Sequence, residues 1–244
     1  MGNWLEVAEC IETLHGRGPA DLEELVNVQS AQMLLQAGVV SSRAEGLAAC
    51  AKALRDGSAL AKFREMVAAQ GGDVDMVDRH TEPCWHKAAT VIQVPAPVSG
   101  VVSAIDALAI GKTGVLLGAG RKRVEDGVDF AAGVLIGTCT VTPVLPYRSE
   151  LHYGVHCGRP TLTNWLCPDV AKKVGETVVE GEPLCTLYTS LSESEVGAAA
   201  VKMAAEGYSI VSPGTTITAT PLIKCPLSTL CPCILLGALV VQAV

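Results

Sequence analysis

The sequence predicts an α+β protein in which an N-terminal helical segment precedes a β-rich C-terminal domain. Helical periodicity with polar starts and glycine stops runs through residues 1–72. After residue 90 the pattern changes to short β-prone runs separated by glycine turns. Hydrophobic residues make up 49% of the chain and aromatic residues only 4%, so we expect a core of aliphatic side chains.

Four helices are predicted in residues 1–72, each between a polar N-terminal signal and a glycine. The N-terminal signals are Asn3 with Glu6, Asp21 with Glu24, Ser42 with Glu45, and Ser58. The glycines that end the helices are Gly16, Gly38, Gly57 and Gly71. Since the caps and stops agree with the apolar period, we expect a set of short packed helices here.

Residues 73–89 are polar and aperiodic, which predicts a linker to a second domain at residues 90–223. Strands are predicted in this domain at Thr90–Val94, in the run that ends at Val102, at Val115–Leu117, at Val128–Val134, within Lys173–Leu184 and at Tyr208–Val211. Helices are predicted at Asp106–Ile110 and Glu193–Glu206. Glycines at the turns would form the corners of the β structure.

Two segments fit neither pattern. Residues 137–168 mix Thr, Pro, Cys, His and Trp without a period, which indicates an atypical insert, either a surface excursion or non-standard coding sequence. Residues 224–244 form an apolar, cysteine-dense tail. Both alternatives for the insert stay open on the sequence alone.

Charge and hydropathy argue against two classes of partner. The net charge is −7 without a basic stripe, so nucleic acid is not an expected partner. The longest apolar run, Ile234–Val241, is too short to cross a bilayer, and the chain does not open like a secretory signal. Cys10 and Cys50 lie on predicted helices rather than in a disulfide framework. These features predict a cytoplasmic protein that does not bind membranes.

Few residue patterns indicate chemistry. The turn from Gly118 to Arg121 follows an apolar run, but it lacks the further glycine of a dinucleotide-binding fingerprint, so a tight structural turn is favoured. No nucleophile elbow is present. A zinc site would use His152, His156, Cys157 and Cys167, but these lie in the aperiodic insert and are not in a framed loop. We predict that the remaining histidines, His15, His80 and His86, are solvated.

The β-rich domain contains two glycine-cornered patterns, Pro97–Val102 and Lys173–Leu184. Together they resemble the two halves of a biotinyl or lipoyl carrier, which predicts a barrel-sandwich-like architecture of the α/β hammerhead type. A carrier needs a lysine on the hairpin that follows the second half, and Thr186–Ser190 contains none. The architecture is therefore expected without the carrier function.

Several ordered motifs resemble the thymidine phosphorylase and pyrimidine-nucleoside phosphorylase family, in its C-terminal portion. They are Gly2–Glu9, Gly18–Leu22, Met66–Gly72, Leu117–Arg121 continued by Asp126, Val128–Asp129 and Gly133, and Lys173–Leu184. The resemblance implies that residues 1–72 are part of the family's large α/β domain. The signature residues are Gly118, Gly120, Arg121, Asp129 and Gly133.

The resemblance implies a pentosyltransferase in which phosphate, as co-substrate, cleaves a pyrimidine nucleoside to free base and pentose 1-phosphate. No organic cofactor is implied. The family's phosphate-binding and base-binding groups would precede Met1, so no catalytic or substrate-binding residue is assigned here. Glu9 matches a ligand of a monovalent cation, K⁺, although a solvated helix carboxylate is an equally good interpretation.

The resemblance leaves three interpretations of this chain open. It is a C-terminal part of a phosphorylase that is inactive alone, a truncated isoform without catalysis that binds a full-length partner or has no activity at all, or a barrel-sandwich binding module. The family implies a homodimer, but its dimer helices are expected upstream of these residues, so no dimer is predicted for this chain.

Overall fold

The computed structural model describes residues 1–81, 88–121, 123–136 and 172–218. These residues combine seven helices with six strands, which confirms the α+β prediction. The predicted insert, the apolar tail, His86 and the four zinc candidates lie outside the described residues. None of the helices in the described ranges has the length and apolarity of a membrane span.

The chain divides into two compact units. One consists of Met1–Glu12 together with the described residues from Arg64 onward. The described part of the other is Thr13–Phe63. The first unit therefore contains most of the helix at Asn3–Leu14 and all of the strands in the described residues.

The N-terminal segment contains four helices, which are α1 Asn3–Leu14, α2 Ala20–Gln36, α3 Arg43–Arg55 and α4 Ser58–Ala69. The Ser42 cap of α3 is confirmed, because its hydroxyl accepts a hydrogen bond from Glu45 N at 3.2 Å. The predicted cap at Asp21 is wrong: α2 begins at Ala20 after Pro19, whose ring has no side-chain acceptor. Within Thr13–Phe63, α2 packs on α3.

The β structure forms two three-stranded antiparallel sheets. The first sheet has the order β1-β5-β3, with β1 Thr90–Pro95, β5 Pro183–Thr189 and β3 Gly133–Leu135. The second sheet has the order β4-β2-β6, with β4 Thr177–Val178, β2 Gly100–Ile105 and β6 Tyr208–Val211. Strands distant in sequence are thus neighbours in both sheets.

Two helices cover this β structure, α6 Ala107–Leu116 and α7 Glu193–Glu206, and they pack against each other. Apolar side chains from both sheets and both helices form one core cluster. Its fully buried members include Val94, Val102, Ile110, Leu117, Val134, Leu184, Leu187 and Ala204. The expected aliphatic composition of the core is confirmed.

Two predicted strands in this unit are wrong. Val115–Leu117 continues α6, because Asp106 caps that helix and Ile110, Thr113 and Leu117 recur on its buried face. The range Val128–Val134 is a strand only from Gly133, since Asp129 directs its backbone and carboxylate into turn hydrogen bonds.

The range predicted as a linker contains a short helix, α5 Asp75–Asp78. Val77 in this helix is buried, and Arg64 forms an ion pair with Asp78. The prediction that His80 is solvated is wrong, because only 8% of the residue is exposed. Its ring is held by the hydrogen bonds described below.

Candidate functional site

The N-terminus of the chain adds an edge to the first sheet. Met1 and Gly2 lie antiparallel to Gly133 and Val134, with a β-bridge between the two glycines. The Met1 nitrogen donates to Val134 O at 2.8 Å, and Val134 N donates to Met1 O at 2.7 Å. The start of α1 is therefore fixed to β3 by main-chain hydrogen bonds.

This pairing depends on the absence of side chains at both glycines. A Cβ on Gly133 would lie 2.5 Å from Met1 O and 2.8 Å from Leu5 Cδ1. A Cβ on Gly2 would lie 2.6 Å from Ala132 O, and the φ of Gly2 is +136°. Because the obstacles include backbone atoms, the close approach requires glycine on both sides.

Asn3 connects α1 to the signature turn after α6. Its side-chain amide donates to Ala119 O at 3.0 Å, instead of capping α1 as the sequence predicts. Glu6, its partner in the predicted capping box, does accept a backbone N–H at the helix start, but from Gly2 rather than from Asn3, at 3.2 Å. The two family motifs Gly2–Asn3 and Gly118–Gly120 are thus in direct contact.

The signature turn requires glycine at Gly118, where φ is +97°. Gly118 O accepts a hydrogen bond from Asp129 N at 2.8 Å. A Cβ on Gly120 would lie 3.1 Å from Val115 Cγ2, so this glycine lets the turn fold back on the end of α6. The structural interpretation of this turn, which the sequence favours over a phosphate cradle, agrees with these contacts.

The Asp129 carboxylate holds two further segments. Its Oδ1 accepts from Ala131 N at 2.9 Å, and its Oδ2 accepts from Ser190 N at 2.8 Å, just after β5. Both carboxylate oxygens therefore bind backbone N–H groups. Such bonds to a charged acceptor are stronger than neutral ones and serve to position the chain.

Arg121 lies at the protein surface next to this turn. Its guanidinium donates to Val124 O at 3.1 Å, which closes the loop that leads to Asp126. Asp126 in turn accepts from Arg123 N at 2.9 Å. Of the five signature residues, Gly118, Gly120, Asp129 and Gly133 thus lie along the contact between α1, the turn and β3, and Arg121 shapes the adjoining loop.

Glu9 lies half-buried on α1. Its negative charge adds to the effect of burial in raising the pKa of the neighbouring Cys10 thiol, burial being the larger cause. Hard cations are surrounded by about 6–8 oxygens, so a single carboxylate does not make a cation site. In the described ranges, no three His, Cys, Asp or Glu side chains come together as metal ligands.

One buried polar contact is not predicted by the sequence. His80 and Glu12 meet with Nε2 and Oε1 2.5 Å apart. Glu12 follows Leu5 by seven residues and Ala8 by four, so its place on an apolar helix face is visible in the sequence. Nothing local indicates His80 as the partner, because 68 residues separate the two.

The thiol and phenol in the core are poorly suited to chemistry. Burial raises the pKa of Cys185 to about 12 and also raises the pKa of Tyr208, whose hydroxyl donates to Leu184 O at 3.0 Å. Neither group lies at the surface. The side chains of the described site hold chain segments together by hydrogen bonds to backbone groups, and they do not present a nucleophile.

Comparison with known proteins places these motifs in context. Residues 101–139 match the family model for the pyrimidine nucleoside phosphorylase C-terminal domain. That range contains all five signature residues.

Curated relatives extend the similarity over most of the chain. Pyrimidine-nucleoside phosphorylase of Bacillus subtilis is 37% identical over 190 residues, which are 78% of this chain and 36% of the relative. The corresponding protein of Geobacillus stearothermophilus is 35% identical with the same coverage. Thymidine phosphorylase of Burkholderia cenocepacia is 41% identical over 136 residues, which are 54% of this chain and 30% of the relative.

The chain thus spans about a third of the length of the curated relatives it matches. All five signature residues lie within the range that matches the family model, and that model describes a C-terminal domain. The chain is thus similar to a C-terminal portion of the pyrimidine-nucleoside phosphorylase family.

Proposed function

We propose that this chain serves as the C-terminal part of a phosphorylase that uses phosphate to cleave thymidine or a related pyrimidine nucleoside to base and pentose 1-phosphate. The names of the relatives support the reaction. The observation that carries the proposal is the direct contact between the Gly2–Asn3 motif and the Gly118–Gly120 turn. Two motifs that mark the family are packed together here as one structural unit.

The proposed role of this unit is to support the reaction rather than to perform it. Displacing a pyrimidine from C1′ requires cations and N–H donors aimed at the phosphate and at the departing base. In the described signature residues, the Asp129 oxygens and the Arg121 guanidinium bind backbone groups of the same unit. We therefore assign the groups that bind phosphate and base to parts of the enzyme outside the described residues.

The finer architecture follows the same proposal. The two three-stranded antiparallel sheets, with glycine turns at Gly175 and Gly181, support a barrel-sandwich domain of the α/β hammerhead type. Its proposed limits are residues 90–223, after a helical part at 1–72 and a connection at 73–89.

Several properties of the relatives' family stay predictions for this chain. They are phosphate as co-substrate, Glu9 as one ligand of K⁺ in a complete site, the absence of an organic cofactor, a cytoplasmic location and the absence of nucleic-acid partners. A homodimer is predicted for complete family members, and no dimer is predicted for this chain.

A chimera tests the proposal. The matched residues of this chain would replace the corresponding segment of the Bacillus subtilis relative, and base release from thymidine and uridine would be measured with and without phosphate. We expect phosphate-dependent release of base. A chimera that folds, as judged by a cooperative thermal transition, but releases no base would contradict the proposal. The unmodified relative is the control for the assay.

A further inference from the structure

Glu12 and His80 form an almost completely buried pair. The side chain of His80 is 5% exposed and that of Glu12 is 3% exposed. His80 Nε2 lies 2.5 Å from Glu12 Oε1, and His80 Nδ1 lies 3.0 Å from Val77 O. The pair thus connects α1 with the turn after α5, and through the contact between His80 and Val77 with α5 itself, within the same compact unit.

The geometry fixes how many protons this contact needs. A carbonyl oxygen only accepts, so the hydrogen bond to Val77 O requires a proton on Nδ1. The short contact between Nε2 and Oε1 requires a second proton between those two atoms, whichever of them holds it. The two ring contacts together therefore need two protons, one on Nδ1 and one between Nε2 and the carboxyl group.

Loss of one proton must break a contact. If Nδ1 keeps its proton, the Nε2 lone pair faces a carboxylate oxygen. If Nε2 keeps it, the Nδ1 lone pair faces Val77 O. Either arrangement places two acceptors against each other in a buried site, which costs more than forgoing a hydrogen bond in water.

The position of the pair gives this event a structural consequence. The chain leaves this compact unit after Glu12 and returns to it at Arg64. The contact therefore lies at the point of exit. It joins Glu12, in the last turn of α1, to His80, which belongs to the part of the unit that begins at Arg64.

We propose that Glu12 and His80 form a proton-dependent latch that holds the end of α1 against α5 and opens when the shared proton is lost. The inference does not depend on the proposed phosphorylase function. It predicts that these two segments become less protected as the pH rises.

The other ionisable groups on the elements at this contact are few. They are Glu6, Glu9 and Cys10 on α1, Asp75 and Asp78 on α5, Arg79 after α5, and Arg64, which pairs with Asp78. The exposed His15, directly after α1, is replaced by Gln in all exchange experiments, because imidazoles ordinarily titrate in the pH range used. Carboxylates and guanidinium groups do not ordinarily change charge between about pH 6 and about pH 9. The Cys10 thiol pKa is raised by burial and by Glu9, which keeps that group neutral there.

Hydrogen exchange of the full chain tests the latch. Amide protection in peptides covering the end of α1 and residues 75–81 would be measured at about pH 6 and about pH 9 and corrected for intrinsic exchange. We expect protection of these peptides to fall about tenfold at the higher pH, with α7 unchanged as an internal reference. Equal protection at both pH values would overturn the proposal.

The variant Glu12→Gln separates the latch from ordinary packing. A Gln amide donates to the Nε2 lone pair of a neutral His80 while Nδ1 still donates to Val77 O, so the contact no longer needs the extra proton. We expect protection independent of pH in this variant. Glu9→Gln, one turn earlier on the same helix, should keep the wild-type dependence. A wild-type dependence in Glu12→Gln would overturn the proposal.

A measurement on the wild-type chain covers the case in which Glu12→Gln does not fold. The ¹⁵N shifts of the His80 ring report its protonation directly across the same pH range. We expect the ring to lose its proton at the pH where the protection of α5 falls. Protection that persists after the ring has lost its proton would overturn the latch.

Discussion

Asp129 illustrates how one side chain can hold several backbone segments of a signature region together. Its backbone N–H binds the signature turn at Gly118, and its two carboxylate oxygens bind backbone groups of Ala131 and Ser190. These bonds connect the signature turn, the segment before β3 and the end of β5. A positioning role accounts for the aspartate, because both of its carboxylate oxygens are engaged within the fold.

The substitution Asp129→Asn tests this role. An amide keeps one acceptor oxygen but turns an NH₂ donor toward the second backbone N–H, so one hydrogen bond is replaced by two facing donors. We expect the free energy of unfolding, measured by urea denaturation, to fall by about 1–2 kcal/mol. Asp126→Asn in the same loop is the control, because the Asp126 carboxylate bonds to Arg123, three residues away. Equal losses for the two variants would contradict the assignment.

A second substitution tests the close approach between α1 and β3. In Gly133→Ala the new Cβ would lie 2.5 Å from Met1 O, a backbone atom that is itself bonded to β3. We expect a loss of about 1–3 kcal/mol in the free energy of unfolding, because the two backbones must move apart. Gly127→Ala is the matched control, since a Cβ at that position would have nothing within 4 Å and the φ of Gly127 is not in the left-handed region. A Gly133→Ala variant as stable as Gly127→Ala would argue against the close pairing.

Among the elements, α7 shows how local sequence can determine a helix boundary. The Ser192 N–H and hydroxyl both donate to Glu195 Oε2, at 2.8 and 2.6 Å. Both bonds lower the pKa of the Glu195 carboxyl group, and the bond from the Ser192 hydroxyl has the larger effect. The carboxylate is thus more stable in the folded than in the unfolded state, so its contribution is present above the unfolded pKa and is lost as pH falls through the folded value.

The variant Glu195→Gln should therefore be less stable than wild type at neutral pH and closer to wild type in acid. The reason is that the carboxylate is protonated in acid, where its bonds to Ser192 no longer favour the folded state through charge. Thermal unfolding at about pH 7 and about pH 3 measures the difference. Glu206→Gln, at the other end of α7, serves as the control. A stability difference for Glu195→Gln that does not shrink in acid would contradict the assignment.

The same elements explain which parts of the fold can be predicted. The range Glu193–Glu206 and the strand Tyr208–Val211 agree with the structure because caps and alternation lie within the segments themselves. Val115–Leu117 reads as a strand in the sequence because three apolar residues carry no period of their own. The helix there depends on the Asp106 cap, nine residues earlier.

The candidate site is only partly visible in the sequence. Its glycines and Asp129 are recognised by resemblance, but two of the hydrogen bonds that assemble the site join residues more than 60 positions apart, those between Asn3 and Ala119 and between Asp129 and Ser190. The contact between Glu12 and His80 is missed for the same reason. Residue patterns along a chain indicate which side chains are unusual, whereas their partners are determined by the tertiary fold.

For the molecule as a whole, these contacts give a consistent account. The first compact unit ties the start of α1, the signature turn and β3 together, and its polar side chains are used in doing so. The similarity to pyrimidine-nucleoside phosphorylases and these contacts together are the basis of the proposed scaffold role. The central proposal is that this unit supports a phosphate site formed by other parts of a complete enzyme.

The most direct test is an assay of the purified chain alone with thymidine and phosphate, following thymine release by chromatography. The account predicts no release above a blank without protein, while the Bacillus subtilis relative assayed in parallel releases thymine. Phosphate-dependent release of thymine by this chain alone, abolished when phosphate is omitted, would contradict the assignment of a supporting role.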